Sequence, residues 1–436
     1  MIISPAFRGK RYVVLGLARS GLATVRALVA SGAEVVAWDS NEAARAAVLK
    51  AFPHPSPEGE GLLSLADPLT IDLTGFDGIV VSPGVPINRH PIADAAHSAG
   101  VPLIGDIELF AQARANLPPH TVVGITGTNG KSTTTALIHH ILKTAGVPTM
   151  MGGNIGLPIL GEDALPDGGA YVLELSSYQI DLTFSLDCDV AVLLNITPDH
   201  LDRYDGFADY AASKERLFTL QHVDKIAVIA TDDDPTRMIA SRINHRLVRV
   251  SATKVTDQSR WPSLQGPHNA QNVAAAMAVA HALGIDDATI ERGLATYPGL
   301  PHRMERVREL RGVLFVNDSK ATNATSTAPA LAAYPAVHWI LGGQAKTDEL
   351  DACAPHYNHI RAAYTIGEAG PMFAQLLTPH MHVAQCGVLA EAVKQAAKSA
   401  VAGETILLSP ACASFDQYKD FEARGDAFRA AVEALL

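Results

Sequence analysis

The stretch 124-GITGTNGKSTTTALIHHIL-142 sets three glycines, a lysine and a run of hydroxyls between the apolar residues 121-TVV-123 and an amphipathic helical pattern. A buried strand that feeds a glycine-rich turn at the start of a helix aims backbone N–H groups and the helix N-terminus at phosphate oxygens. In that frame Lys131 reaches the β- and γ-phosphates and Ser132 faces Mg2+. The strict G-x-x-x-x-G-K-[ST] spacing wants glycine at 125, where Ile125 stands; Gly124 comes one residue early and Gly127 falls inside the loop. Strand, loop and helix nonetheless follow in the required order, which favours phosphate binding over a tight turn with a solvated lysine.

Around this segment, short β-branched runs alternate with Ala/Leu-rich helical stretches almost to the C-terminus, the pattern of an α/β fold. A chain of 436 residues, 48% hydrophobic and 18% charged, is too long for one core, and three domains are expected. The proline-rich segments 117-LPPH-120 and 297-YPGLP-301 suggest the boundaries 1–118, 119–299 and 300–436, the second a hinge. The first domain opens with 12-YVVLGLARSGLATVRALVASGAEVVAWDS-40, a βαβ unit with Gly16 and Gly21 in dinucleotide-type positions but Ala18 at the middle glycine. That departure leaves open a βα turn that needs glycine only for packing.

Composition excludes several functions. The formal charge of −11 is spread without a basic block, which argues against a nucleic-acid partner. No apolar run approaches the roughly 18 residues of a membrane span, the N-terminal residues lack a signal-peptide pattern, and a cytoplasmic location is expected. Cys188, Cys353, Cys386 and Cys412 form no C-x-x-C pair, which fits structural thiols and gives no zinc signature.

Further segments carry chemistry. Glu174, in 171-YVLELSSYQI-180, sits in an otherwise apolar strand, where a carboxylate needs a cation or hydrogen-bond donors and is a candidate Mg2+ ligand. In 191-AVLLNITPDHLDRY-204 a strand ends in a turn bearing Asp199, His200 and Asp202, at the strand end where α/β sheets collect ligands; locally, His200 is equally an ordinary turn residue. Lys214, in 210-YAASKERLF-218, taken alone is a solvated charge on a helix. His268, Asn269 and Asn272 occupy a glycine-proline turn leading into an Ala-rich helix, where turn and cap roles are the plain alternative.

The ordered set GTNGKST (127–133), Glu174 with Ser-Ser-x-Gln, NITPDHLDRY, 266-GPHNAQN-272, 301-PHRME-305, 317-NDSKATN-323 and 409-SPACASFDQYKDFEARGDAF-428 resembles the Mur ligases, ATP-dependent amide-forming enzymes of peptidoglycan precursor synthesis. The last segment, 105-GDIELF-110 and the βαβ start resemble the branch of that family that adds D-glutamate to UDP-N-acetylmuramoyl-L-alanine. The resemblance runs from about residue 10 to the end. It implies an α/β chain of three domains: an N-terminal Rossmann-like UDP-binding domain, a central P-loop ATPase domain and a C-terminal Rossmann-like domain.

The resemblance also implies residue roles. ATP would be held by Gly127, Thr128, Asn129, Gly130, Lys131, Ser132, Thr133, Asn269 and Asn272, with Arg303 at the γ-phosphate and Asp318 at the ribose. Two Mg2+ ions are implied, on Ser132 and Glu174 and on His200 and Lys214, the lysine carrying a CO2-derived carbamate whose anionic oxygens suit that hard cation. Asn154 would stand by the reacting carboxylate. Arg19, Ser20, Asp39, Gly84, Asn154, Ser176 and Gln179 would bind the UDP-substrate, and Lys320, Thr322, Lys346, Ser414 and Phe421 the D-glutamate. Under this reading the unit around Ala18 holds a UDP-sugar rather than a dinucleotide, the enzyme works as a monomer, and closure near residue 300 keeps water from the activated intermediate. Gln344 departs from the family pattern, which would have Asp in the LGG-x-x-K segment.

Overall fold

The structure is a computed structural model that describes residues 1–52, 62–199 and 203–435. The chain divides into two compact units, Met1–Val250 with Ala275–Ile290, and Ser251–Ala274 with Glu291–Leu436. Three sheets organise them. The first runs Leu63–Leu65, Glu34–Trp38, Arg11–Leu15, Gly78–Val81, Leu103–Ile104, all parallel. The second runs Arg246–Val250, Ile226–Ala230, Val190–Leu193, His120–Thr126, Gly169–Glu174, Thr149–Gly153, again all parallel. The third, in the second unit, runs Glu305–Leu310, Val313–Asn317, Thr405–Leu408, Val337–Gly342, Ile360–Ile366, Val383–Gly387; its first pair is antiparallel and the rest parallel.

Central parallel strands are covered on both faces, and their sequences are accordingly near-continuous apolar runs rather than alternating ones. Every residue of Gly169–Glu174 and of Val190–Leu193 is buried. In the first sheet the strand order reverses direction beside Arg11–Leu15, whose neighbours are Glu34–Trp38 and Gly78–Val81. In the second it reverses beside His120–Thr126, flanked by Val190–Leu193 and Gly169–Glu174. Crevices outside the carboxyl ends of strands at such reversals are where open α/β sheets take ligands.

Within the first unit one apolar core joins the two sheets, running from Tyr12, Val14 and Val80 through Phe110 to Val122, Tyr171 and Ile229. The segment 105-GDIELF-110 is its polar fastening. Gly105 N–H donates to the Leu182 carbonyl (2.9 Å). The buried Glu108 carboxylate accepts the N–H groups of Phe184 (2.7 Å) and Ser185 (2.9 Å), the Ser185 hydroxyl (2.7 Å) and the Gln112 amide (3.0 Å). Burial pushes the neighbouring Asp106 carboxyl up to about 6. Among the described residues no helix is long and apolar enough to cross a membrane.

The Glu108→Ala substitution leaves the Phe184 and Ser185 N–H groups without an acceptor in the interior. Urea denaturation of the full chain should show a loss of about 2–4 kcal/mol in the transition of the first unit, the cost of orphaned buried donors. An unchanged midpoint would mean that water replaces the carboxylate freely.

Candidate active site and substrate cleft

The loop 127–130 joins the strand His120–Thr126 to the helix Lys131–Thr144. Asn195, just past the end of Val190–Leu193, holds it in shape. Its main-chain carbonyl accepts Thr128 N–H (2.8 Å), its side-chain oxygen accepts Asn129 N–H (2.8 Å), and its amide donates to the Asn129 carbonyl (3.1 Å). The Thr128 hydroxyl meets Tyr210 Oη at 3.1 Å and accepts the Thr197 N–H (3.0 Å). A polar residue at the carboxyl end of a buried strand is the sequence signal for this role of Asn195, in a segment otherwise notable for Asp199, His200 and Asp202.

Two lysines converge here. Lys131 Nζ donates to the carbonyls of Gly127 (3.0 Å) and Thr128 (2.8 Å), and Lys214 Nζ donates to the same Gly127 carbonyl at 2.9 Å. Lys214 lies on the helix Phe207–Thr219, 1% exposed, with its ammonium 4.6 Å from the Tyr210 ring centre. The solvated charge expected from the local sequence is therefore a buried one. Burial first, then the neighbouring Lys131 charge, brings its pKa down to about 7. A substantial neutral fraction at neutral pH makes this amine a nucleophile, which an ordinary surface lysine is not.

Glu174 ends its strand 2% exposed. One carboxylate oxygen accepts the Asn154 amide at 3.1 Å, while Oε2 has no hydrogen-bond partner among the described residues, as is also true of the nearby strand and helix hydroxyls of Thr126 and Thr135. A buried carboxylate oxygen left without a partner is costly and suits a cation. Mg2+ takes one or two carboxylates and completes its shell with phosphate oxygens and water, so Glu174 with Ser132 is a donor set that fits it. Among the described residues no three His, Cys, Asp or Glu side chains gather to hold a metal by themselves. His200, expected to be a second ligand, and Asp202 lie outside the described residues.

A cleft of about 320 Å³ in the first unit is lined by Arg19, Ser20, Ser82, Gly84, Asn154 and Gln179, among others. Five of the seven residues expected to hold the UDP-substrate thus share one cavity, at the carboxyl ends of the strands beside the first sheet's reversal. The helix Arg19–Ala30 starts there, adding its N-terminal N–H groups. Asp39 is not on the cleft wall; its carboxylate accepts Leu17 N–H (2.7 Å) and Asn41 N–H (2.8 Å) and so shapes the turn before the helix. Ser176 and Gln179 form a reciprocal cap on the helix Ser177–Asp181, in which Ser176 Oγ accepts Gln179 N–H (3.3 Å) and Gln179 Oε1 accepts Ser176 N–H (3.1 Å). A second, more apolar cavity of about 270 Å³ shares Ser82 and Pro83 with the cleft and is walled by Tyr178, Arg203 and Tyr204.

The remaining expected residues lie in the second unit. Asn269 and Asn272 are buried, with the Asn269 amide on the Gln265 carbonyl (2.9 Å) and the Asn272 amide on Asn269 Oδ1 (3.0 Å). Asp318, just past the strand Val313–Asn317, is buried and accepts the Ser409 hydroxyl (2.8 Å) and Met304 N–H (3.2 Å); burial raises its pKa to about 7. Lys320 places its ammonium 3.9 Å from the centre of the Phe421 ring, which begins the helix Phe421–Glu433. Ser414 is buried, Thr322 half-buried and Lys346 exposed. Gln344, the departure from the family pattern, exchanges main-chain hydrogen bonds with Ala413 (both 2.9 Å), so this loop is joined to the Ser414 loop by backbone rather than by the 344 side chain.

Three family models match the chain: the MurD-like N-terminal domain over 10–105, the Mur ligase middle domain over 125–263 and the Mur ligase glutamate ligase domain over 302–412. Curated proteins named UDP-N-acetylmuramoylalanine--D-glutamate ligase are similar along their whole length. The one from Sphingopyxis alaskensis is 64% identical and the one from Zymomonas mobilis 61%, each covering 100% of both chains. The chain belongs to the Mur ligase family. Solved structures of Mur ligases share the fold: UDP-N-acetylmuramate-alanine ligase MurC from Thermotoga maritima aligns over 98% of this chain and 99% of its own at TM-score 0.57 and 16% identity. The D-alanyl-D-alanyl-adding ligase from Acinetobacter baumannii aligns over 85% and 92% at TM-score 0.58 and 18% identity. The expected three-domain α/β architecture is that of the Mur ligases.

In this Mur ligase the contact between Asn154 and Glu174 depends on Gly153, which has φ +86° and would place a Cβ 2.1 Å from the Glu174 carbonyl oxygen. The Gly153→Ala substitution should pry the two strand ends apart and lower the thermal midpoint by several degrees, read by calorimetry. A fully native midpoint would show that the strands yield without strain.

Proposed function

We propose that this chain is the ATP-dependent ligase that joins D-glutamate to UDP-N-acetylmuramoyl-L-alanine in peptidoglycan precursor synthesis, releasing ADP and phosphate. Full-length relatives at 61–64% identity carry that name, and one observation in the structure supports the phosphate chemistry above the others: the partnerless Glu174 oxygen on the strand next to a lysine-bearing phosphate loop. In the reaction the alanyl carboxylate attacks the γ-phosphorus of ATP and ADP leaves. The glutamate amine then attacks the acyl phosphate carbonyl, phosphate departs, and the amine proton passes to a base that we leave unassigned.

Phosphoryl transfer of this type needs positioning and charge neutralisation more than covalent help. Lys131 exchanges its bonds to the Gly127 and Thr128 carbonyls for phosphate oxygens, and the N–H groups of 127–133 surround them. Ser132 and Glu174 would hold one Mg2+, which when bound supplies positive charge to the phosphates. The Asn154 amide, one N–H of which is held by Glu174, offers its other N–H to the reacting carboxylate, at the oxygen on which charge develops. Arg303 is the γ-phosphate contact, Asp318 the ribose contact, and Asn269 and Asn272 the remaining contacts to ATP.

The lysine Lys214 takes up CO2: its neutral amine attacks the carbon, loses a proton and becomes a carbamate anion, which with His200 would hold a second Mg2+. The buried, depressed amine favours this. The folded pKa near 7 lies below the ordinary 10.5, so the neutral form, and carbamate with it, increases as pH climbs through about 7. Arg19, Ser20, Asp39, Gly84, Asn154, Ser176 and Gln179 bind the UDP-substrate; five of them line the cleft, and Asp39 and Ser176 also hold the turn and helix cap beside it. Lys320, Thr322, Lys346, Ser414 and Phe421 bracket the two carboxylates of D-glutamate. Domain boundaries at 118/119 and 299/300, a cytoplasmic location and a monomeric enzyme complete the reading.

Two measurements test it. Phosphate release from ATP with UDP-N-acetylmuramoyl-L-alanine should require D-glutamate, with product mass rising by one glutamyl residue; turnover with L-glutamate alone would overturn the stereochemical assignment, and no turnover with either would overturn the reading. The Lys214→Ala variant should lose activity by about 10²-fold or more, and a short carboxylate such as acetate should restore part of it. Absence of rescue, with bicarbonate dependence also absent in the unaltered enzyme, would remove the carbamate.

A further inference from the structure

In the second unit Arg303 closes a turn by donating its N–H to the Leu300 carbonyl (3.2 Å), and its two neighbours, His302 (φ +60°) and Met304 (φ +49°), are both in the left-handed region that non-glycine residues avoid. A turn holds two such residues only where its surroundings over-determine it. Here two carboxylates do so, one on each residue next to Arg303. Glu305 Oε2 accepts His302 N–H at 2.9 Å, and Asp318 Oδ1 accepts Met304 N–H at 3.2 Å.

Glu305 is itself locked. It opens the strand Glu305–Leu310 directly opposite Asn317 in the antiparallel pair. Its Oε2 also accepts the Asn317 amide (3.0 Å), and its Oε1 accepts two nitrogens of Arg429, Nε at 2.8 Å and Nη2 at 2.5 Å. Asn317 further donates to His302 Nδ1 (3.0 Å) and to the Gly425 carbonyl (3.1 Å). The His302 ring rests on the helix at a point where only glycine fits, since a Cβ on Gly425 would stand 2.0 Å from Nδ1. The His302 carbonyl accepts Lys320 N–H at 3.0 Å, tying the turn to the segment proposed to hold D-glutamate.

We infer that Glu305, braced by Asn317 and Arg429, is a positioning residue that holds the strained 302–304 turn and thereby aims Arg303 at the transferring phosphate. The inference rests on the reading of Arg303 as a γ-phosphate contact. Glu305 uses both carboxylate oxygens on the turn and its braces, so it has no spare acceptor for substrate and acts through Arg303. Releasing Glu305 lets the turn relax toward ordinary backbone angles, and the guanidinium loses its aim while the sheet persists.

A double-mutant cycle tests this in the full-length enzyme. Phosphate release at saturating substrates is measured for the unaltered chain, Glu305→Ala, Arg303→Ala and the double variant, with the thermal midpoint of each. The expected result is a loss of tenfold or more in kcat from Glu305→Ala when Arg303 is present and less than twofold when Arg303 is already alanine. Equal losses in both backgrounds would show a role independent of Arg303 and overturn the inference. Full activity of Arg303→Ala would overturn the phosphate-contact reading and the inference with it, an outcome distinct from the first. Should Glu305→Ala fail to fold, Glu305→Gln takes its place in the cycle: its amide retains an acceptor for His302 N–H but offers no charge to Arg429, and the same non-additivity is expected with a smaller loss.

Discussion

The main-chain carbonyl of Gly127 accepts hydrogen bonds from two lysines, and the candidate phosphate site is organised around that one oxygen. Burial first, and the nearby Lys131 charge second, drives Lys214 toward its neutral form, whereas Lys131 lies closer to solvent. The loop that presents the carbonyl is held by Asn195 from the adjacent strand, so the pairing of His120–Thr126 with Val190–Leu193 fixes where both lysines end. Parallel pairing, loop shape and the ionisation of Lys214 are therefore one problem rather than three.

On the other flank of the same central strand, Gly169–Glu174 carries a carboxylate into the interior and leaves one of its oxygens without a partner. A folded chain tolerates such a group where function requires it, and in this family a cation is the natural complement. Asn154 reaches Glu174 because the strand Thr149–Gly153 ends in a glycine pressed against the Glu174 backbone. The edge strand thus serves the site by letting two chain segments approach more closely than any side chain would permit.

The second unit uses a different device. Its sheet begins with an antiparallel pair, and that pair sets Glu305 opposite Asn317 at the mouth of the turn bearing Arg303. Backbone strain at 302 and 304 is offset by carboxylates that accept the flanking N–H groups, and the carboxylates are in turn satisfied by Arg429 and Ser409. In the first unit the interior carboxylate Glu108 likewise spends itself on backbone N–H groups. Among the described residues, buried acids mostly hold main chain, and Glu174 is the exception.

Element order, the α/β class and the phosphate loop were legible in the sequence, because periodicity and glycine placement are local properties and 124-GITGTNGKST-133 carries both. Motif order along the chain was enough to identify the family and nominate the site. What local pattern could not convey was burial and partnership. Lys214 looked like a solvated helix charge, yet the helix turns it inward beneath the Gly127 carbonyl. Asp39, Ser176 and Gln179, read from the sequence as substrate contacts, also hold turns and a helix cap, a second role that local pattern does not show. Asn195 offered only its place at the carboxyl end of a buried strand and Glu305 no signal of its own, because each acts on a loop that only strand pairing brings beside it. Sequence determines which chemistry is present; which groups are left unpaired to perform it depends on distances between segments far apart in the chain, and those exist only in the folded molecule.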